Sequence, residues 1–224
     1  TPRAEADYLI REIRELVRGG ARYDSIAVLY RTNLQPRLLA RRLYQENIPF
    51  RMREMLPDLN EHWIARDLLA YLRLAGDRAE PGDLLRIMNR PNRYIRREAV
   101  RMEGESLAGL RRHYEKSGEH WMDERLGKFA GELRRLGRMR PSEAIAYIRT
   151  EIGYDNFLKQ YAEEREIEAD ELFDILEEIE ASTEGFPTVS AWQADGTAFS
   201  AACKARSKRT EAGDEVQLMT YHAS

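Results

Sequence analysis

The chain contains one cysteine, Cys203, among 224 residues. A single thiol excludes an internal disulfide and a multi-cysteine zinc site. The four histidines, His62, His113, His120 and His222, are scattered without zinc-ligand spacing, so no metal site is expected. No apolar run approaches the ~20 residues needed to span a bilayer, and the opening Thr1-Pro2-Arg3 has no apolar secretory segment. These absences point to a cytoplasmic protein without membrane contact. The pattern Gly-x-x-x-x-Gly-Lys-Ser/Thr is also missing: Gly127-Lys128 is followed by Phe129 and lacks the earlier glycine. Without that phosphate cradle, this chain alone is expected to bind neither ATP nor magnesium and not to hydrolyse ATP unaided. No Ser/His/Asp set marks a hydrolase.

What is present is a strongly solvated globular composition, 42% apolar and 33% charged, long enough to bury a sizeable core. The net charge of −3 hides an asymmetry. Residues 81–140 carry 15 basic against 9 acidic side chains, a surplus of +6, whereas residues 141–187 carry 3 against 14, or −11. Most of these charges read as solvated helix faces. The basic block is where a phosphate backbone could be held, and the acidic block excludes itself as a DNA surface.

Ala6, Leu9, Ile10, Ile13, Leu16 and Val17 recur at helical spacing, and Gly19-Gly20 supplies a stop. Ile26 to Tyr30 is a short apolar run of the kind a buried strand shows. Thr32 or Asn33 can cap a helix with the apolar face Leu38, Leu39 and Leu43, and Ile48-Pro49-Phe50 reads as a second strand. Strand, helix, strand indicates a parallel α/β layer. After Asn60 the pattern turns helical: Ile64–Leu72, Leu84–Met88, Ala99–Tyr114, Trp121–Leu136, Ser142–Ile152, Ile167–Ala181 and Val189–Lys204. Lys204 to Asp214 is polar and reads as a loop. A strand with Val216, Leu218 and Thr220 then restores α/β character, and its closeness to Ser224 suggests an excerpt from a longer protein. The expected fold is mainly α: a helical insertion, 61–208, in an α/β portion built from both chain ends, 1–60 and 209–224.

Tyr30-Arg31-Thr32-Asn33 lies at the carboxyl end of a strand, where α/β sheets bind ligands. An aromatic ring there can stack on a base and a guanidinium can reach a phosphate. Spacing alone favours an edge tyrosine with a solvated arginine. Ile26 to Asn33 followed by Arg37 resembles motif IV of the UvrD/PcrA/Rep-like superfamily-one DNA helicases. Asp67-Leu68-Leu69-Ala70-Tyr71-Leu72-Arg73-Leu74 resembles that family's segment entering its 2B domain, and Leu84 to Pro91 resembles the next stretch. Val216 to Ser224 resembles the first half of motif V, without the lysine and glutamate that follow. The matches occur in the family's order, while Val100 to Lys208 matches only in helical character.

The resemblance implies a fragment of a motor driven by ATP and Mg in the full-length protein. That motor translocates on single-stranded DNA and unwinds duplex, in replication or repair, coupled to ATP hydrolysis between two RecA-like lobes. The chain then holds part of the second lobe (2A) and the 2B-type insertion. The resemblance assigns Tyr30 to stacking on adenine, Arg31 to the terminal phosphate as the catalytic residue, and Thr220 and His222 to the single-stranded track. Relatives grip duplex DNA with a Gly-Ile-Gly turn after Asn-x-Pro-x-Arg. Here Asn89-Arg90-Pro91-Asn92-Arg93 is followed by Tyr94-Ile95-Arg96, so both glycines are replaced, as in a UvrD-like paralogue. Arg93, Arg96 and Arg97 then either substitute side-chain phosphate contacts at a duplex junction or only solvate helix ends. The competing expectations are a helical DNA-binding module without a motor, and a scaffold that recruits a basic protein partner at the acidic helices near Glu163 to Glu184.

Overall fold

The computed structural model describes residues 2–30, 35–52, 58–76, 78–207 and 213–220. They form two compact units, one made of Thr1–Asp58 with Gln193–Ser224 and the other of Leu59–Trp192.

The first unit opens with α1 (Pro2–Arg18), whose Ala6, Ile10 and Ile13 face its core. Then come β1 (Ala27–Tyr30), α2 (Gln35–Gln45) and β2 (Phe50–Met52). The last element of the chain, β3 (Val216–Thr220), runs parallel between β1 and β2, giving the order β1-β3-β2. Ala27 to Tyr30 pair with Gln217 to Thr220, and Phe50 to Met52 with Val216 to Leu218. A β1-α2-β2 crossover leaves one strand position open, and only the far end of the chain fills it. Sequence pattern starts the second strand at Ile48, but pairing begins at Phe50. Pro49 has no N–H to give and contributes only its carbonyl, which accepts from Val216 N at 2.9 Å.

The expectation of a fully buried first strand is corrected: β1 alternates. Ile26 and Tyr30 are buried, whereas Leu29 is 50% exposed. The core of this unit, including Ile13, Leu43, Phe50, Val216 and Leu218, therefore lies on one face of the sheet. Each such side chain contributes ~1.5–3 kcal/mol through burial.

The second unit is all helical among the described residues. It comprises α3 (Trp63–Ala75), α4 (Asp83–Ile87), α5 (Arg97–Met102), α6 (Leu107–Lys116), α7 (Trp121–Leu136), α8 (Pro141–Thr150), α9 (Tyr154–Arg165) and α10 (Ala169–Thr183). Its core gathers Leu68 and Tyr71 from α3, Ile87 from α4, Leu110 from α6, Phe129 from α7 and Leu158 from α9. The helix expected over Ala99–Tyr114 is two helices. Gly104 and Glu105 both take positive φ, and Ser106 then caps α6 by accepting from Gly109 N at 3.2 Å. Helix α9 has no counterpart in the sequence pattern. Its buried stripe is only Tyr154, Leu158 and Ala162, too narrow to stand out among acidic neighbours.

Helix α11 (Val189–Ser207) begins in the helical unit, where Trp192 is buried, and ends in the sheet unit. There Phe199 meets Tyr44 edge to face at 5.7 Å, and Arg41 pairs with Asp195. The helical unit thus closes at Trp192, whereas periodicity carries the insertion to residue 208.

Candidate nucleotide and nucleic-acid sites

Tyr30 ends β1 and pairs in register with Thr220 at the end of β3, so both residues stand at the carboxyl edge of the sheet. The Tyr30 ring is 7% exposed and belongs to the core of the sheet unit. A base stacked on it must displace what covers it. Arg37, in the first turns of α2, is likewise buried. Arg31, His222 and the candidate caps Thr32 and Asn33 lie outside the described residues, as does the side chain of Thr220.

The second candidate site is the turn between α4 and α5. Asn89 fastens it: its side-chain carbonyl accepts from Arg93 N at 3.1 Å and Ile95 N at 3.0 Å, and its amide donates to Ile95 O at 2.8 Å. Asn92 accepts from Tyr94 N at 2.9 Å, and Tyr94 sits at φ 59°. That left-handed conformation is the one a glycine would occupy without cost. The turn keeps a glycine-type backbone while carrying a tyrosine.

The structure separates the three arginines expected to hold phosphate here. Arg93 is a core residue, which corrects that expectation for this side chain. Its guanidinium donates to Ile87 O and Pro91 O at 3.2 Å and to Tyr71 Oη at 2.9 Å. It pairs with the buried Glu132 at 3.4 Å and lies 4.1 Å from the centre of the Phe129 ring. The guanidinium is drawn inward because Glu132, on the apolar face of α7, needs a cation. Burial also pushes the Tyr71 hydroxyl up to about 12. Arg96, half exposed, pairs with Glu119 and lies 5.2 Å from the centre of the Tyr114 ring, whose hydroxyl accepts from Arg96 N at 2.8 Å. Arg97 is exposed at the start of α5.

Arg97 also lines a surface cavity of about 390 Å³ with Arg86 and Arg90. Those two share one carboxylate, the fully buried Asp67, at 3.4 and 2.7 Å. Tyr154 donates to the same carboxylate at 2.8 Å. Burial pushes the Asp67 carboxyl up, against Arg90, Tyr154 and Arg86, which hold it down. Two guanidinium groups on one acid, with Arg97 lining the same cavity, leave a cationic rim that can receive phosphate. Sequence pattern alone did not single out Arg86 and Arg90. The signal was their i, i+4 spacing opposite an aspartate set among the apolar residues of α3.

In the acidic block, Arg149 pairs with Asp155 at 3.2 Å and with Glu180, which ties α8 to α9 and α10. Among the described residues, no group of three His, Cys, Asp or Glu side chains could hold a metal ion. No helix among them is long and apolar enough to cross a membrane.

Residues 1–106 match the family model of the UvrD-like helicase C-terminal domain. The ATP-dependent DNA helicase PcrA of Staphylococcus epidermidis RP62A is 39% identical over 97 residues, which are 42% of this chain and 13% of that protein. The PcrA of Staphylococcus aureus Mu50 is 38% identical over a stretch with the same shares. The matched part is thus a small fraction of each relative's length.

Proposed function

We propose that this chain, whose residues 1–106 match the family model of the UvrD-like helicase C-terminal domain, is the second-lobe portion and helical insertion of an ATP-dependent DNA helicase. The observation that carries the proposal is the strand order β1-β3-β2. A parallel layer completed by the chain's far end, with a helical unit between its strands, is an α/β lobe interrupted by an insertion. The matched relatives named as DNA helicases supply the activity.

The residues of this chain do not fit a complete Mg–ATP site, since the phosphate loop is missing from the sequence and a set of metal ligands from the described residues. When bound in the full-length protein, ATP supplies the free energy that drives movement. Arg31, which follows Tyr30 in sequence, would hold the terminal phosphate of that ATP and would neutralise charge on it. Tyr30 holds the end of β1, and its ring would stack on adenine once what covers it is displaced. Thr220, at the same carboxyl edge, meets single-stranded DNA together with His222. Arg96 and Arg97, joined by the rim of Arg86 and Arg90, hold the backbone of a duplex junction in place of the glycine turn. Such a protein works in the cytoplasm, in replication or repair.

Phosphate release with and without single-stranded DNA tests the reading. The full-length protein should show DNA-stimulated turnover, and the 224-residue chain should stay at background. Robust turnover by the chain alone, or none by the full-length protein, would overturn it.

A further inference from the structure

Tyr94 is 61% exposed on its left-handed turn, and Trp121, at the start of α7, is 53% exposed. Neither ring has a part in the function proposed above. Between them lies Arg125, one turn along α7, its guanidinium carbon 4.9 Å from the centre of the Tyr94 ring and 5.0 Å from that of Trp121. Single exposed aromatics are ordinary. Two that converge on one cation from separate elements are a built arrangement, and here one ring stands on backbone that disfavours any side chain. Among the described residues, Arg125 makes no ion pair with a carboxylate within 4.0 Å, so both rings hold a cation that no acid neutralises. Of the nearby acids, Glu119 takes Arg96 and Asp123 takes Arg111 at 2.7 Å, while Glu124, next to Arg125 in sequence, makes no ion pair with it within 4.0 Å.

We propose that Tyr94, Arg125 and Trp121 form a stacking platform for the unpaired bases of DNA next to a duplex junction. Every base has a π-face, so two exposed rings accept bases without regard to sequence, and the intervening guanidinium takes the adjoining phosphate. Arg96 and Arg97, on the segment that carries Tyr94, extend the same charge toward the duplex. That surplus favours a polyanion over a protein partner, whose anchoring aromatics usually sit in an apolar, desolvated patch. The platform rests on the DNA-binding reading above and adds to it base contact in the insertion.

The test is binding of the 224-residue chain to a junction whose first unpaired base is the fluorescent analogue 2-aminopurine, beside the same junction with an abasic tail. Tyr94→Gly suits the left-handed turn, and Trp121→Ala lies at an exposed helix end, so both should keep the wild-type circular dichroism. Each ring removed should weaken tailed-junction binding by roughly 5- to 150-fold and abolish 2-aminopurine quenching. The abasic tail should bind weakly and ignore both changes. Equal binding of normal and abasic tails, or variants that bind and quench like wild type, overturns the platform. If Arg96→Gln with Arg97→Gln still weakens binding in that case, the DNA reading survives without it. Wild type that binds no DNA overturns both and leaves the rings to a protein partner.

Discussion

Arg93→Ala separates a structural arginine from a DNA-binding one. The substitution removes donors to Ile87 O, Pro91 O and Tyr71 Oη, the partner of the buried Glu132, and the cation over Phe129. Lys128 also pairs with Glu132, but at 3.9 Å and from an exposed position, so it offsets only part of the lost charge. Breaking a buried pair by removing one member costs ~3–5 kcal/mol, a large share of a domain's stability. Adding Glu132→Gln to Arg93→Ala should restore ~1–3 kcal/mol, because it removes the stranded charge. Urea unfolding followed by circular dichroism measures both. Arg96→Gln with Arg97→Gln should behave the opposite way. Stability should move by ~1 kcal/mol or less, since the Arg96–Glu119 pair is exposed. The slope of log affinity against log salt for a duplex junction should fall by about 0.9 for each phosphate that the variant no longer neutralises. An Arg93→Ala chain as stable as wild type, with a reduced salt slope, would refute the core assignment and return Arg93 to the DNA surface.

Two further predictions concern the same helical unit. Tyr71 is held protonated by burial, its hydroxyl pushed from 10.0 to about 12, so the folded state keeps a proton that the unfolded state releases first. The stabilisation is complete below pH ~10 and is lost as pH rises toward 12, by about 2–3 kcal/mol, and Tyr71→Phe should flatten that decline in alkaline unfolding curves. Gly137, just after α7, has Ala75 O inside contact distance of where a Cβ would lie, and that oxygen is backbone. Gly137→Ala should therefore cost ~1–3 kcal/mol, read as a lowered urea midpoint, although Ala is the better helix former.

Much of this architecture was legible from residue pattern. The α1 stripe, the β1-α2-β2 run, the full extent of α7 and the late strand all follow from spacing and stops. The place of β3 between β1 and β2 was not, because strand order depends on pairing across the whole insertion. Nor was the allegiance of α11, since Phe199 and Cys203 look the same whichever core receives them. At the candidate site, Asn89 to Arg96 stood out as a turn, but the fate of Arg93 depends on Glu132, 39 residues away. An acid among Phe129, Leu133 and Leu136 was the available sign that some cation must be drawn inward. Tyr94 offered no local warning of positive φ. Only the glycine expected there from the family resemblance hinted at it.

The central proposal, that this chain brings an arginine to ATP held elsewhere in an ATP-driven, DNA-stimulated motor, is tested most directly at Arg31. In the full-length protein, Arg31→Ala should lower DNA-stimulated turnover by ~10³-fold or more, because the guanidinium acts on charge that develops in phosphoryl transfer. Nucleotide affinity, measured in parallel, should change little, whereas Tyr30→Ala should mainly weaken binding. An unchanged turnover number in Arg31→Ala would contradict the account and remove the carboxyl edge of β1 from the nucleotide site.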